Sequence, residues 1–87
     1  MNGHPENMSM NQLQWACRRG MLELDVLLSN FLREAYSDAA YEDQQSFIEL
    51  LNCADPELFT WLMGHQIPSE NFTKIVGLIR QHARSRI

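Results

Sequence analysis

The clearest pattern in the chain is an apolar stripe between Met21 and Tyr36, with polar residues on the other positions. Its members recur at steps of three and four residues: Leu24, Leu27, Leu28, Phe31 and Ala35, with Leu32 widening the stripe. This spacing predicts an amphipathic helix. Glu23 and Asp25 fall in its first turn, where carboxylates interact favourably with the helix dipole.

A shorter helix is predicted before it, from Ser9 to about Arg18. Ser9 and Gln12 have the spacing of a capping box, in which each side chain bonds the backbone N–H of the other residue. One side of this helix is apolar and carries Leu13, Ala16 and Cys17. Trp15 falls on a different face. We expect it to pack on a later helix; the alternative, that it awaits a partner, stays open.

Three further helices are predicted after Tyr36. The third spans about Ala40 to Cys53. The fourth starts at Asp55-Pro56-Glu57, with Asp55 as the cap and the proline at the first helical position, and ends near Gly64. Ser69 is expected to cap the fifth. The third helix is predicted to bury Phe47, Ile48, Leu50 and Leu51, and the fifth Phe72, Ile75, Val76 and Ile79. The fourth carries the apolar residues Leu58, Phe59, Trp61, Leu62 and Met63.

No segment alternates apolar and polar residues as a strand would. We therefore predict an all-α fold, a compact single-domain five-helix bundle over residues 9–87. Residues 1–8 are polar and are expected to be disordered, and the tail after about residue 84 is expected to fray. A chain of 87 residues buries only about two-thirds of its unfolded surface, so its core must be well filled.

The charge is unevenly distributed along the chain. The first seventy residues carry eleven acidic and three basic side chains, a net charge of −8, and the last seventeen carry only four basic ones: Lys74, Arg80, Arg84 and Arg86. Phosphate binding needs clustered basic groups, so an acidic body argues against nucleic acid. Cations near the end of a helix complement its dipole, which is our interpretation of the tail. A small nucleic-acid binder that uses these four residues is the alternative.

The sequence offers little catalytic chemistry. Cys17 and Cys53 stand alone, which favours two free thiols in a reducing compartment, and the three histidines have no metal-ligand spacing. No phosphate loop, nucleophile elbow or zinc motif is present. We therefore predict no enzyme, no catalytic residue, no metal site and no stably bound cofactor. No run of about 18 apolar residues is present and the start lacks a secretory pattern, so we expect no membrane partner and a cytoplasmic location.

The junction between the first two helices concentrates charge around one glycine. Arg18 and Arg19 are expected in the last turn of the first helix, and Gly20 fits the left-handed residue that follows a helix. Two interpretations follow from the residues alone. In the first, Arg19 and Glu23 satisfy the two helix ends, with an exposed ion pair worth under about 1 kcal/mol. Alternatively, Gly20 leaves bare backbone that a partner approaches, and the flanking charges set its register.

Two blocks of the chain resemble a known family. Residues 15–25, WACRRGMLELD, and residues 50–63, LLNCADPELFTWLM, are similar to the succinate dehydrogenase flavinylation factors, small proteins built around an Arg-Gly-x-x-Glu motif. The likeness covers roughly residues 12–79. It implies a five-helix bundle that assists covalent FAD attachment to its client.

The resemblance also implies the partner and the contact residues. The client would be the flavoprotein subunit of succinate dehydrogenase, and possibly that of fumarate reductase. Separately, we expect a monomer, and because no nucleotide-binding pattern is present we expect the chain to hold no FAD of its own. The implied partner-binding residues are Arg19, Gly20 and Glu23, with Arg18 and Asp25 as neighbours. The competing functions are a generic helical adaptor or an antitoxin component with an unrelated client.

Overall fold

Five α-helices account for most of the chain in the computed structural model, which describes residues 8–86. They are α1 (Met10–Ala16), α2 (Leu22–Glu34), α3 (Tyr41–Leu50), α4 (Asp55–Leu62) and α5 (Thr73–Ser85). Two short 3-10 helices, Tyr36–Asp38 and Glu70–Phe72, precede α3 and α5. No strand occurs among the described residues, so the predicted all-α class is confirmed.

The core forms where the apolar faces of the helices meet. α2 packs along α5, and α5 also contacts α3 and α4. The buried residues are Leu13, Cys17, Leu24, Leu28, Phe31, Leu32, Phe47, Ile48, Leu50, Leu51, Leu58, Trp61, Leu62, Ile75, Val76 and Ile79. The Cα radius of gyration, 12.0 Å, is what a compact globule of this length should have. The prediction of one compact helical domain is therefore confirmed.

Local signals placed some helix ends correctly and missed others. The capping box of α1 is present, with the Ser9 N–H donating to Gln12 Oε1 over 2.8 Å and the Gln12 N–H donating to Ser9 Oγ over 3.2 Å. The prediction that Asp55 caps the fourth helix is wrong. Ala54 is the N-cap residue, Asp55 is the first helical residue, and no side chain caps this helix.

The start of the last helix also differs from the prediction. Ser69 begins a 3-10 turn instead of capping α5 with its side chain, and the α-helix itself starts at Thr73. The helix continues through Ser85, and the expected fraying beyond residue 84 stays a prediction. The expected disorder of residues 1–8 falls mostly on residues 1–7, which lie outside the described residues. Met8 packs against the core.

The charge asymmetry along the chain is partly cancelled in space, because the basic tail folds back onto acidic residues. Arg86 makes two hydrogen bonds to the Glu34 carboxylate, 2.7 and 2.9 Å long. This contact, chiefly the hydrogen bonding, lowers the pKa of Glu34 and raises that of Arg86. Lys74 Nζ lies 3.3 Å from an oxygen of the buried Asp43. Two of the four basic tail residues are thus paired with acids of the body.

Within residues 8–86, no helix has both the length and the apolar character needed to cross a membrane.

Cys17 and Cys53 are both free thiols, as the sequence indicated.

Candidate functional site

The junction between α1 and α2 is a short segment with one left-handed residue. α1 ends at Ala16, so Arg18 and Arg19 lie after the helix and not in its last turn, contrary to the sequence prediction. Gly20 has φ of +81°, the conformation that glycine adopts without strain. A Cβ built on Gly20 would meet no atom within 4 Å. The glycine is therefore required by backbone conformation, and it leaves an exposed stretch of bare backbone.

The Arg19 guanidinium turns inward and holds three helices together. Its Nη1 donates to the carbonyl oxygens of Ala16 and Leu51, and its Nη2 donates to that of Cys53, each over 2.8 Å. Its Nε donates to Asp55 Oδ1, also over 2.8 Å. The last residue of α1 and the C-cap of α3 each carry a carbonyl that no helical N–H can reach. Arg19 therefore serves two helix ends and pairs with the first residue of α4.

The backbone of Arg19 is fixed as well as its side chain. Its N–H donates to Asp25 Oδ1 over 2.6 Å, so a side chain from the first turn of α2 closes the loop onto the residue before Gly20. Only 15% of the Arg19 side chain is exposed. Four of its five guanidinium N–H groups donate within the chain, which leaves little of it for a partner.

The other charged residues of the junction face outward. Glu23 is exposed in the first turn of α2, and within residues 8–86 it has no ion-pair partner. The Arg19–Glu23 ion pair considered from the sequence is therefore wrong: Arg19 pairs with Asp55. Arg18 is exposed, and its guanidinium carbon lies 5.8 Å from the centre of the Trp15 ring.

Apolar side chains surround these charges, and the sequence prediction for one of them was wrong. Trp15, expected to pack on a later helix, is 74% exposed. Leu22, inside the motif, is 75% exposed. Leu22 and Glu23 line a shallow groove of about 340 Å³ together with Val26, Leu27 and Met63. Helical spacing placed Trp15 away from the face of Leu13 and Cys17, but spacing alone does not say whether another helix covers the side chain.

The thiols near the junction are not activated. Cys17 is fully buried under Arg19, and its burial raises its pKa to about 12 against the lowering effect of the Arg19 charge. Burial also raises the pKa of Cys53, with the nearby Glu57 carboxylate adding to the effect. No group of three or more His, Cys, Asp or Glu residues that could hold a metal occurs in the described part of the chain. Neither Cys17 nor Cys53 is therefore an activated nucleophile.

The structure thus divides the five residues singled out in the sequence. Gly20, Glu23 and Arg18 are exposed, whereas Arg19 and Asp25 are half-buried and bonded to each other and to the scaffold. Asp55 belongs to the same cluster, and sequence reasoning assigned it only to a helix start. Its pairing with Arg19 spans 36 positions, which no local spacing signals.

Comparison with known proteins agrees with the two sequence blocks. A model of the family described as the flavinator of succinate dehydrogenase matches residues 11–83. The chain is 48% identical over 79 residues to a protein of Shewanella oneidensis named FAD assembly factor SdhE, covering 90% of this chain and 96% of the relative. It is 54% identical over 78 residues to the protein of the same name from Aliivibrio fischeri, covering 87% and 90%. The corresponding protein of Vibrio parahaemolyticus is 52% identical over 78 residues, with the relative covered to 90%.

Proposed function

This chain belongs to the family described as the flavinator of succinate dehydrogenase, and on that premise we propose that it is an assembly factor for FAD attachment. It binds the apo form of the flavoprotein subunit of succinate dehydrogenase and promotes covalent flavinylation of that subunit. We extend the proposal to the flavoprotein subunit of fumarate reductase. The chain acts in the cytoplasm as a monomer, holds no FAD of its own and is not itself an enzyme.

The proposal rests on one observation: at the α1–α2 junction some residues are exposed and others are bonded within the fold. Gly20 exposes bare backbone at a left-handed turn, and Glu23 projects from the next helical turn without a described ion-pair partner. Arg18 adds a positive charge at the other side of the turn. These three residues contact the client in our proposal. Arg19 and Asp25 contribute to client binding by holding the turn in place.

We propose that the chain contributes by positioning the reacting groups of the client. The flavin supplies the electron sink in covalent attachment, and the client supplies the nucleophilic histidine. A binding protein accelerates such a step by holding the client in a conformation where the two groups meet. Well-oriented intramolecular reactions gain up to roughly 7–11 kcal/mol from positioning, so a small part of that gain would be enough. A rigid turn suits this role, because an interface that is ordered in advance loses little entropy on binding.

The decisive experiment replaces Glu23 and measures flavin on the client. Cells that lack the chain are complemented with the wild type, Glu23→Ala or Glu42→Ala, and the flavoprotein subunit is examined by in-gel flavin fluorescence. Glu42 is a matched control, since it is also an exposed glutamate in the first turn of a helix. Both variants should change the free energy of unfolding by about 0.5 kcal/mol or less.

We expect Glu23→Ala to lose assisted flavinylation and Glu42→Ala to retain it. Full flavin attachment with Glu23→Ala would contradict the assigned contact residue. Unchanged flavinylation in cells without the chain would contradict the function itself. If Glu23→Ala unfolds the protein while Glu42→Ala does not, Glu23 is structural and the contact must lie elsewhere.

A further inference from the structure

The arginine of the motif and the acidic residue at the start of α4 form one unit. Arg19 reaches across 36 positions to place its Nε 2.8 Å from Asp55 Oδ1. The same guanidinium bonds the carbonyls of Leu51 and Cys53, which flank the turn that leads into α4. Residues of the second sequence block, 50–63, thus accept hydrogen bonds from the arginine of the first block.

Asp55 is free to serve Arg19 because it has no role as a helix cap. The N-cap position of α4 is Ala54, and the Asp55 side chain makes no capping hydrogen bond. Its carboxylate is 39% exposed and Arg19 is 15% exposed, so the contact lies at the rim of the domain and not in its core. A charge-assisted hydrogen bond adds geometric specificity as well as energy, so it orients the guanidinium.

Arg19 links the exposed turn to the rest of the fold through its backbone and its side chain. The guanidinium is held by the α3–α4 segment, and the Arg19 N–H is held by Asp25 from α2. Gly20 follows Arg19 directly, in a left-handed conformation that glycine adopts freely. Arg19 therefore connects the start of α2, where Glu23 lies, to the segment between α3 and α4.

We propose that Asp55 is a positioning residue for client binding, which acts through Arg19 to hold the Gly20–Glu23 turn in its binding geometry. This inference rests on the proposed function for its client. It assigns a role to a residue outside the motif, and it explains why the motif needs an arginine whose guanidinium faces inward.

The test compares Asp55→Asn with Glu57→Gln in the full chain. Glu57 is an exposed acidic residue in the same first turn of α4, so its replacement removes the same kind of favourable dipole interaction without touching Arg19. Affinity for the purified apo flavoprotein subunit is measured at a temperature where circular dichroism shows all variants fully folded. A role limited to stability would then leave the affinity unchanged. Amide NMR shifts of Gly20, Leu22 and Glu23 give a second readout that needs no client.

We expect Asp55→Asn to weaken client binding by about tenfold, which corresponds to about 1.4 kcal/mol, because the amide oxygen that replaces the carboxylate carries no charge and holds the Arg19 guanidinium less strongly. The amides of the turn should shift in Asp55→Asn and stay in place in Glu57→Gln. Asp55→Glu, which keeps the carboxylate, should recover part of the affinity.

Wild-type affinity with Asp55→Asn would overturn the inference, and so would equal losses in Asp55→Asn and Glu57→Gln. Unmoved amides in the turn would overturn it as well. If the wild type fails to bind the flavoprotein subunit, the proposed function fails. The NMR comparison then still decides whether Asp55 controls the turn. If Asp55→Asn does not fold, Asp55→Glu replaces it in the comparison with Glu57→Gln. Arg19→Lys gives a further check: an intact turn and full client affinity in that variant would refute the inference.

Discussion

Two adjacent arginines, Arg18 and Arg19, should respond very differently to replacement by alanine. Arg19→Ala removes four charge-assisted hydrogen bonds, three to carbonyls and one to Asp55. Arg18→Ala removes one exposed contact with the Trp15 ring, worth about 0.5–1 kcal/mol or less. The two residues are of the same type and adjacent in the chain, so the comparison tests directly the different placement that the tertiary structure gives each of them.

The size of the Arg19 effect follows from its surroundings. Hydrogen bonds to charged groups contribute about 1.5–3 kcal/mol each, so four would sum to about 6–12 kcal/mol. That sum rivals the whole stability of a domain of this length, about 4–13 kcal/mol. The cluster lies at the rim, where the Asp55 side chain is 39% exposed, so water will replace part of the lost bonding. We therefore expect a loss of about 2–4 kcal/mol, or about 10–25 °C in Tm.

The measurement is urea and thermal denaturation of both variants, followed by far-ultraviolet circular dichroism. Arg19→Lys serves as a second perturbation: it keeps the positive charge, but a single ammonium cannot reproduce the planar fork that reaches three carbonyls and a carboxylate. It should fall between the wild type and Arg19→Ala. If the free energies of unfolding of Arg19→Ala and Arg18→Ala agree within about 0.5 kcal/mol, with the same dependence on urea, the hydrogen bonds of the Arg19 guanidinium add no stability. That result would refute the expected difference.

The two tryptophans and the two cysteines give further contrasts. Trp15 is 74% exposed, whereas Trp61 is 7% exposed. Trp61→Ala should therefore lower the free energy of unfolding by about 3–5 kcal/mol, and Trp15→Ala by under about 1 kcal/mol. Equal losses in urea denaturation would contradict the exposed placement of Trp15. Cys17 has a pKa raised by burial to about 12, so almost no thiolate exists at pH 8 and iodoacetamide should modify Cys53 first. Mass spectrometry of the native protein checks this, with urea-unfolded protein as the control, and early modification of Cys17 would show that the thiol is accessible.

The family assignment and the site assignment rest on different grounds. Membership follows from a match over residues 11–83 together with relatives about half identical to this chain. The contact residues follow from exposure and bonding in this structure. Glu23→Ala tests whether Glu23 contacts the client, and Asp55→Asn tests whether Asp55 positions the turn that carries Glu23. Arg19→Ala tests how much the hydrogen bonds of the Arg19 guanidinium stabilise the fold. The three results are separable because they are read from flavin attachment, from client affinity together with amide shifts, and from denaturation.

Much of the fold could be predicted from the sequence because its signals are local. The capping box of α1 joins residues three positions apart, and the apolar stripe of α2 repeats every three or four. The left-handed Gly20 was predictable as well, since only glycine adopts that conformation freely. These features depend on a few neighbouring residues, so the chain specifies them before it is packed.

The placement of the charged side chains could not be obtained this way. Arg19 looked like an exposed cation, yet three of the four acceptors of its guanidinium lie 32 to 36 positions away, between the end of α3 and the start of α4. Asp55 looked like a helix cap and instead pairs with that arginine, and Trp15 looked like a core residue and remains exposed. Long polar side chains reach several ångströms in many directions, and an exposed aromatic has the same local pattern as a buried one. Helix packing therefore decides which of them meet and which face solvent.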